Sequence, residues 1–137
     1  MSMPSFAKRV SAAVATAVIG SIAVAGTATA DADPVLEIYA PYAQAAAEVA
    51  ADGTVRNAKN VTVTKPGTGK YCLKLDVVKP VTELVPTAVL RNNAPWDSEI
   101  YVDTHPTSTC GNDAETVLVT TGTGSAYKDR DFYFSVA

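Results

Sequence analysis

Apolar and polar residues alternate along most of the chain after residue 60, with the period of two that is typical of β-strands. Residues 61–64 alternate in this way and are all β-branched, which favours a half-buried strand. A turn follows at residues 66–69, where proline presets φ and glycine accepts positive φ. The next segment carries Tyr71, Leu73, Leu75 and Val77 on one face and Cys72, Lys74 and Asp76 on the other. It is therefore the predicted hairpin partner of the first strand.

Further segments of the same character lie at residues 87–91, 99–103, 115–120 and 131–136, separated by turn signals at 92–93 and 122–124. Inward-facing positions are predicted at Ile100, Val102, Phe132, Phe134 and Val136. No stretch after residue 60 has helical periodicity. Many short strands with closely spaced turns predict an all-β fold, either a small antiparallel β-sandwich or a small barrel.

The pattern before residue 60 is less regular. Residues 33–41 lie between prolines and read as an extended lead-in or an edge strand. In residues 42–55 the alanines favour a helix, whereas Asp52-Gly53 is typical of a two-residue hairpin turn. We favour the hairpin, and the helix remains the alternative.

The first 32 residues have the pattern of an export signal. Lys8 and Arg9 form a short basic region, and small residues lead to a cleavage site after Ala30 or Ala32. The uncharged apolar run between them, residues 10–25, is shorter than the roughly 20 residues that span a bilayer as a helix. An uncleaved N-terminal anchor is the alternative. We expect cleavage and release of a secreted protein, residues 33–137, that forms a single all-β domain.

Charge and cysteine content narrow the possible partners and the means of stabilisation. The 137 residues have a formal net charge of -3, which is too small and of the wrong sign for a protein that grips nucleic acid through phosphates. Cys72 and Cys110 both follow the export signal, and an oxidising compartment would join them in the only possible pairing. Free thiols, a redox pair or half of a metal site are the alternatives. We expect the disulfide, because a redox pair usually has C-x-x-C spacing and one histidine supplies too few metal ligands.

Several runs of sequence resemble a module of uncharacterised bacterial secreted and surface proteins. They are Ala-Asp-Gly-Thr-Val at 51–55, Asn-Val-Thr-Val-Thr at 60–64 and Gly-Thr-Gly-Lys-Tyr-Cys-Leu-Lys-Leu-Asp at 67–76. The ending at 129–136 is similar to the closing strand of that module. The resemblance covers about residues 47–137, although residues 78–113 match only in the spacing of the predicted strands. It implies an all-β fold and carries over no activity and no catalytic residue.

His105 is the only histidine and lies in the run Asp-Thr-His-Pro between two predicted strands. As a catalytic base it would act beside Ser98, Ser108 or Asp103, but no nucleophile elbow or other ordered triad motif surrounds it. A histidine before proline in a polar loop is more often a solvated turn residue. The sequence therefore predicts no catalytic residue.

Two further features point to surface contacts. Asp97, Glu99 and Asp103 are separated by even numbers of residues, so on a strand their side chains would lie on the same face. Three acids on one face fit a cation site or a carboxylate pair, and they fit equally the solvated side of a sheet. We favour the solvated side and expect no metal and no cofactor. Trp96 and Tyr101 lie close in sequence and, if exposed, would stack on sugars or on a partner protein. The predicted contact residues are Trp96, Tyr101, Asp103 and His105.

These features together favour a secreted, non-catalytic binding or structural module, with an extracellular or cell-surface partner that the sequence does not name. A small secreted hydrolase that uses the acidic face or His105 is one alternative. A secreted protease inhibitor is another, with the turn at residues 65–71 or the loop before Cys110 occupying a protease cleft.

Overall fold

The structure, a computed structural model, describes residues 35–137. Its strands are β1 (Leu36–Glu37), β2 (Ala45–Val49), β3 (Val55–Lys59), β4 (Val61–Gly67), β5 (Lys70–Leu75), β6 (Thr87–Leu90), β7 (Ser98–Asp103), β8 (Thr116–Thr123), β9 (Ala126–Tyr127) and β10 (Phe132–Val136). Short 3-10 helices lie at Val81–Glu83 and Ser108–Cys110, and no helix in this part of the chain is long and apolar enough to cross a membrane. The predicted export signal, with its cleavage site after Ala30 or Ala32, lies outside the described residues.

The strands form two separate sheets. The first has the order β1-β3-β2-β10-β6, and the second has the order β4-β5-β8-β7 with β9 paired to the end of β8. Neighbouring strands are antiparallel except β1 and β3, which run parallel. The predicted all-β fold is therefore confirmed, and among the described residues it is a two-sheet sandwich rather than a closed barrel. The lead-in at residues 33–41 supplies the edge strand β1, as predicted.

The core lies between the two sheets and follows from the alternation within each strand. On β10, Phe132, Phe134 and Val136 are buried, while Tyr133 and Ser135 point to solvent. The buried cluster comprises Ala45, Ala47, Val49, Phe132, Phe134 and Val136 from the first sheet, Tyr71, Leu73, Leu75, Val117 and Val119 from the second, and Val81. The predicted inward positions Ile100 and Val102 pack against this cluster.

The segment at residues 42–55, for which the sequence allowed either a helix or a hairpin, belongs to a β-hairpin, which is the alternative that we favoured. Strands β2 and β3 pair antiparallel, and the N–H of Ala50 donates to the carbonyl of Thr54 at 2.8 Å. The connecting loop is therefore longer than the predicted two-residue turn, and the Asp52 carboxylate accepts the N–H of Thr54 at 2.9 Å within it. Alanine favours a helix by itself, but Ala45 and Ala47 are buried in the core, and this burial outweighs propensity.

The turn between β4 and β5 is shorter than the predicted turn at residues 66–69 and consists of its second half, Thr68-Gly69, because β4 continues to Gly67. Gly69 has φ of 62°, and a β-carbon there would collide with the backbone of Thr121 and Lys128. Only glycine fits this position without displacing the neighbouring chain. The turn is thereby packed against the connection that leads from β8 to β10.

The predicted disulfide between Cys72 and Cys110 is present. Cys72 points away from the core on β5, between Thr64 of β4 and Leu118 of β8. Cys110 ends the second 3-10 helix, so the bond holds the loop after β7 against the outer face of the second sheet, the face opposite the core. One covalent bond thus joins β5 to the loop between β7 and β8.

Candidate functional site

Two of the four predicted contact residues, Tyr101 and Asp103, lie on the outer face of the second sheet, and Trp96 and His105 lie in the loops on either side of β7. On β7, Glu99, Tyr101 and Asp103 alternate with inward-facing residues and point outward. Asp97 lies in the loop before this strand, so of the three acids predicted to share one face only Glu99 and Asp103 do so on β7. Among residues 35–137, no group of three or more His, Cys, Asp or Glu side chains is placed to hold a metal ion.

His105 and Asp103 meet in an exposed turn. The Asp103 carboxylate accepts the backbone N–H of His105 at 2.8 Å and lies 3.2 Å from its ring Nδ1. The backbone hydrogen bond holds the pKa of Asp103 below its ordinary value, and the ring contact lowers it further. The imidazole is 83% exposed. Ser98 lies at the opposite end of β7, where its hydroxyl accepts a hydrogen bond from Arg130 Nε at 2.9 Å. Ser98 is therefore not beside His105.

Trp96 lies fully exposed in the loop between β6 and β7. It borders a depression that also includes Leu90, Arg91 and Ser98, at one end of the sandwich. Tyr101, the other aromatic residue predicted for contacts, is 62% exposed and lines a different depression. The two aromatic residues are thus both accessible, but they border separate parts of the surface.

The depression beside Tyr101, here called the tyrosine groove, has a volume of about 230 Å³. Its lining residues are Glu99, Tyr101, Thr120, Thr121, Gly122, Gly124, Ser125, Ala126 and Tyr127. Strand β8 forms the floor: Tyr101 pairs with Thr120 from β7, and Tyr127 pairs with Gly122 from β9 on the other side. Two tyrosines therefore flank the same central strand from opposite sides.

Charged groups accompany both tyrosines of the groove. The phenol of Tyr101 donates to the Glu99 carboxylate at 3.1 Å, and this hydrogen bond raises the pKa of Tyr101. On the other side, the Lys70 ammonium lies 4.7 Å from the centroid of the Tyr127 ring, within cation–π range. The groove thus combines two aromatic rings, a carboxylate and the Thr120 hydroxyl on the strand between them, with the Lys70 ammonium beside Tyr127 outside the lining.

Tyr127 is a groove residue that was not among the predicted contacts. It belongs to β9, a two-residue strand that follows a turn at Gly124-Ser125, later than the turn predicted at residues 122–124. A β-carbon at Gly122 would lie 2.5 Å from the carbonyl oxygen of Ala126, so glycine allows β9 to approach β8 this closely. The available signal was a glycine-rich turn followed by an aromatic residue, which is compatible with a returning strand.

The densest charge cluster among the described residues surrounds Asp131, just before β10, and it is structural. Asp131 is 9% exposed, and one carboxylate oxygen accepts the N–H of Ala51 at 2.7 Å. The other oxygen accepts hydrogen bonds from Arg56, Arg91 and Asn93 at 3.1–3.2 Å. Burial raises the pKa of Asp131, but the hydrogen bonds from Ala51, Asn93 and Arg56 outweigh it and lower the value to about 2. The cluster joins the ends of several strands of the first sheet.

Acid should weaken the fold through Asp131. Its pKa in the folded protein, about 2, is below its ordinary value of 3.8, so its contribution is complete above that value and is lost as the pH falls toward 2. The difference corresponds to about 2 kcal/mol of unfolding free energy. Urea unfolding of Asp131→Asn should show this deficit near neutral pH, and the gap to wild type should close in acid. Exposed Asp97→Asn serves as the control, and a gap that is independent of pH would contradict the assignment.

The fold and the groove define the class of this protein as a two-sheet β-sandwich with one disulfide and an aromatic-lined surface depression. Comparisons of the chain with protein families, with curated proteins and with solved structures give no match. The resemblance to secreted bacterial β-modules therefore stays a prediction.

Proposed function

We propose that this chain is exported and acts outside the cell as a non-catalytic binding module, with the tyrosine groove as its contact surface. The observation that carries the proposal is the pair Tyr101 and Tyr127, 62% and 54% exposed on two sides of one strand. Tyrosines held by a sheet contribute large contact area and lose little conformational entropy on binding, which makes them frequent anchors of binding surfaces.

Export is supported by two independent features of the chain. The first 32 residues have the basic region, apolar run and small-residue site of a cleavable signal. The Cys72–Cys110 disulfide suits an oxidising compartment outside the cytosol. The resemblance of residues 47–137 to bacterial secreted and surface modules is in line with both, and we propose a bacterial cell surface or its surroundings as the place of action.

The two alternative functions have less support in the geometry. A hydrolase built on His105 would need a nucleophile beside it, and the hydrogen bonds of the ring and its backbone among the described residues go to Asp103. For a protease inhibitor, the turn at residues 65–71 would have to present a protruding side chain. Its three long side chains are engaged instead: Lys65 forms an ion pair with Asp129 at 3.1 Å, Lys70 lies over the Tyr127 ring and Tyr71 is buried.

Sedimentation with cell envelopes tests the proposal. Full-length protein is expressed with its own leader, collected from the medium and mixed with the insoluble envelope fraction of the producing cells. We expect wild type to sediment with the envelopes and the double variant Tyr101→Ala, Tyr127→Ala to remain in the supernatant. The matched control, Asp103→Ala with His105→Ala, changes the same sheet face outside the groove and should sediment like wild type.

Each result of this experiment decides between the alternatives. Wild type that stays in the supernatant contradicts binding to the cell surface. Equal sedimentation of wild type and the tyrosine variant excludes the groove as the contact surface. A hydrolytic activity that is lost in the control variant would favour the enzyme instead. Circular dichroism of every variant confirms that the sandwich is retained.

A further inference from the structure

We infer that the tyrosine groove binds one or two sugar rings of an extended, neutral, β-linked glycan. This inference rests on the proposed binding function and names its ligand class. Pyranose rings have apolar C–H faces and hydroxyl-bearing edges, so a site for them needs aromatic surface next to hydrogen-bonding groups. The groove places Tyr101 and Tyr127 beside Glu99 and Thr120 in this way.

The hydrogen-bonding groups of the groove come from side chains rather than from backbone. At the groove floor β8 lies inside the sheet, between β5 and β7 at Thr120 and between β9 and β7 at Gly122, so it presents no strand edge there. A peptide that adds to a sheet requires free backbone groups at a strand edge. The sheet face at the groove offers hydroxyl and carboxylate groups instead, which suit a ligand rich in hydroxyl groups.

Glu99 supplies the strongest acceptor in the groove. Its Oε2 accepts the Tyr101 phenol at 3.1 Å, and Oε1 has no hydrogen-bond partner among residues 35–137. A carboxylate oxygen forms a stronger hydrogen bond with a sugar hydroxyl than a neutral oxygen does. The same carboxylate holds the Tyr101 ring beside the groove, so stacking and hydrogen bonding would act on one sugar ring.

The charge and size of the groove limit the glycan further. Glu99 lines the groove and Lys70 lies against Tyr127 just outside it, and their opposite charges favour a neutral ligand over a strongly anionic or cationic one. Its volume of about 230 Å³ is below that of pockets for drug-sized molecules and suits one or two rings. Equatorial β-linkages keep a chain extended, which lets its other rings continue along the sheet face.

Titration with defined tetrasaccharides tests the inference. Amide spectra of the isotope-labelled, secreted protein are followed during addition of cellotetraose or chitotetraose, with α-linked maltotetraose and a neutral tetrapeptide as controls. We expect saturable shifts of groove amides with at least one β-linked probe, at a Kd below about 1 mM. Neither control should produce them.

Variants locate the site and separate it from a general loss of folding. Tyr127→Ala should weaken binding of the β-linked probe by about tenfold or more. Glu99→Gln should weaken it by a smaller factor, because the amide keeps a neutral acceptor. Tyr42→Ala removes a tyrosine that is 94% exposed elsewhere on the chain and should bind like wild type. Equal binding by Tyr127→Ala and wild type would overturn the inference.

The glycan inference and the binding proposal fail in different ways. If neither β-linked probe binds while envelope sedimentation still depends on the two tyrosines, the glycan assignment is wrong and the binding function stands. Groove shifts with the peptide or with maltotetraose alone also overturn the assignment. If sedimentation is independent of the groove as well, both are wrong.

Discussion

Replacing Cys72 and Cys110 together with alanine should lower the free energy of unfolding by about 4 kcal/mol. The disulfide spans a sequence separation of 38 residues, so its loss gives the unfolded chain much additional freedom. For a domain of this size, such a loss lowers the thermal midpoint by roughly 15–30 °C. Thermal and urea unfolding followed by circular dichroism measure both quantities.

A reductant provides the internal control for this result. Wild type in a strong thiol reductant should unfold at the midpoint of the double alanine variant, whereas the variant should not respond to reductant. Cys72 points outward from β5, so the alanines leave the core intact and the effect comes from the cross-link. A variant that unfolds within a few degrees of wild type would show that the loop after β7 is held by other contacts.

Strand positions could be read from the sequence because each strand carries its own alternation. Residues 131–136 were predicted as a strand and Phe132–Val136 is one, with the three expected side chains buried. The order of strands could not be read in this way. Strand β10 pairs with β2, more than eighty residues earlier, and also with β6. No local pattern specifies such a pairing, because it depends on how both sheets bury their apolar faces together.

In the candidate site, too, the direction of a side chain could be predicted from its own strand, whereas contacts between strands could not. The outward direction of Tyr101 follows from the alternation along β7 alone. Tyr127 reaches the groove only because β9 returns beside Gly122, and Lys70 reaches Tyr127 because β5 lies next to β8. Three strands, β7, β8 and β9, therefore line a site of which the sequence predicted only the β7 side.

Truncation of Tyr71 should be as damaging as loss of the disulfide, for a different reason. Tyr71 is fully buried on β5, and its ring packs edge-to-face on Phe132 of the other sheet with centroids 5.0 Å apart. Its hydroxyl donates to the Ala51 carbonyl at 2.7 Å and accepts the N–H of Arg130 at 3.3 Å. Tyr71→Ala should therefore cost about 4 kcal/mol of unfolding free energy, chiefly through the cavity it leaves between the sheets.

The milder variant Tyr71→Phe separates the hydroxyl from the ring. It keeps the packing on Phe132 but leaves the Ala51 carbonyl and the Arg130 N–H without the phenol, which should cost about 1–2 kcal/mol. Urea unfolding at neutral pH compares these variants with Tyr42→Ala, whose tyrosine is 94% exposed and whose loss should stay within about 0.5 kcal/mol of wild type. If Tyr71→Phe were as damaging as Tyr71→Ala, the sheets would be joined mainly by the hydroxyl. We expect Tyr71→Ala to lose more unfolding free energy than Tyr71→Phe, which assigns most of the stabilisation by Tyr71 to its buried ring. The ring fills the space between the two sheets, whereas the hydroxyl fixes only the loops at their end.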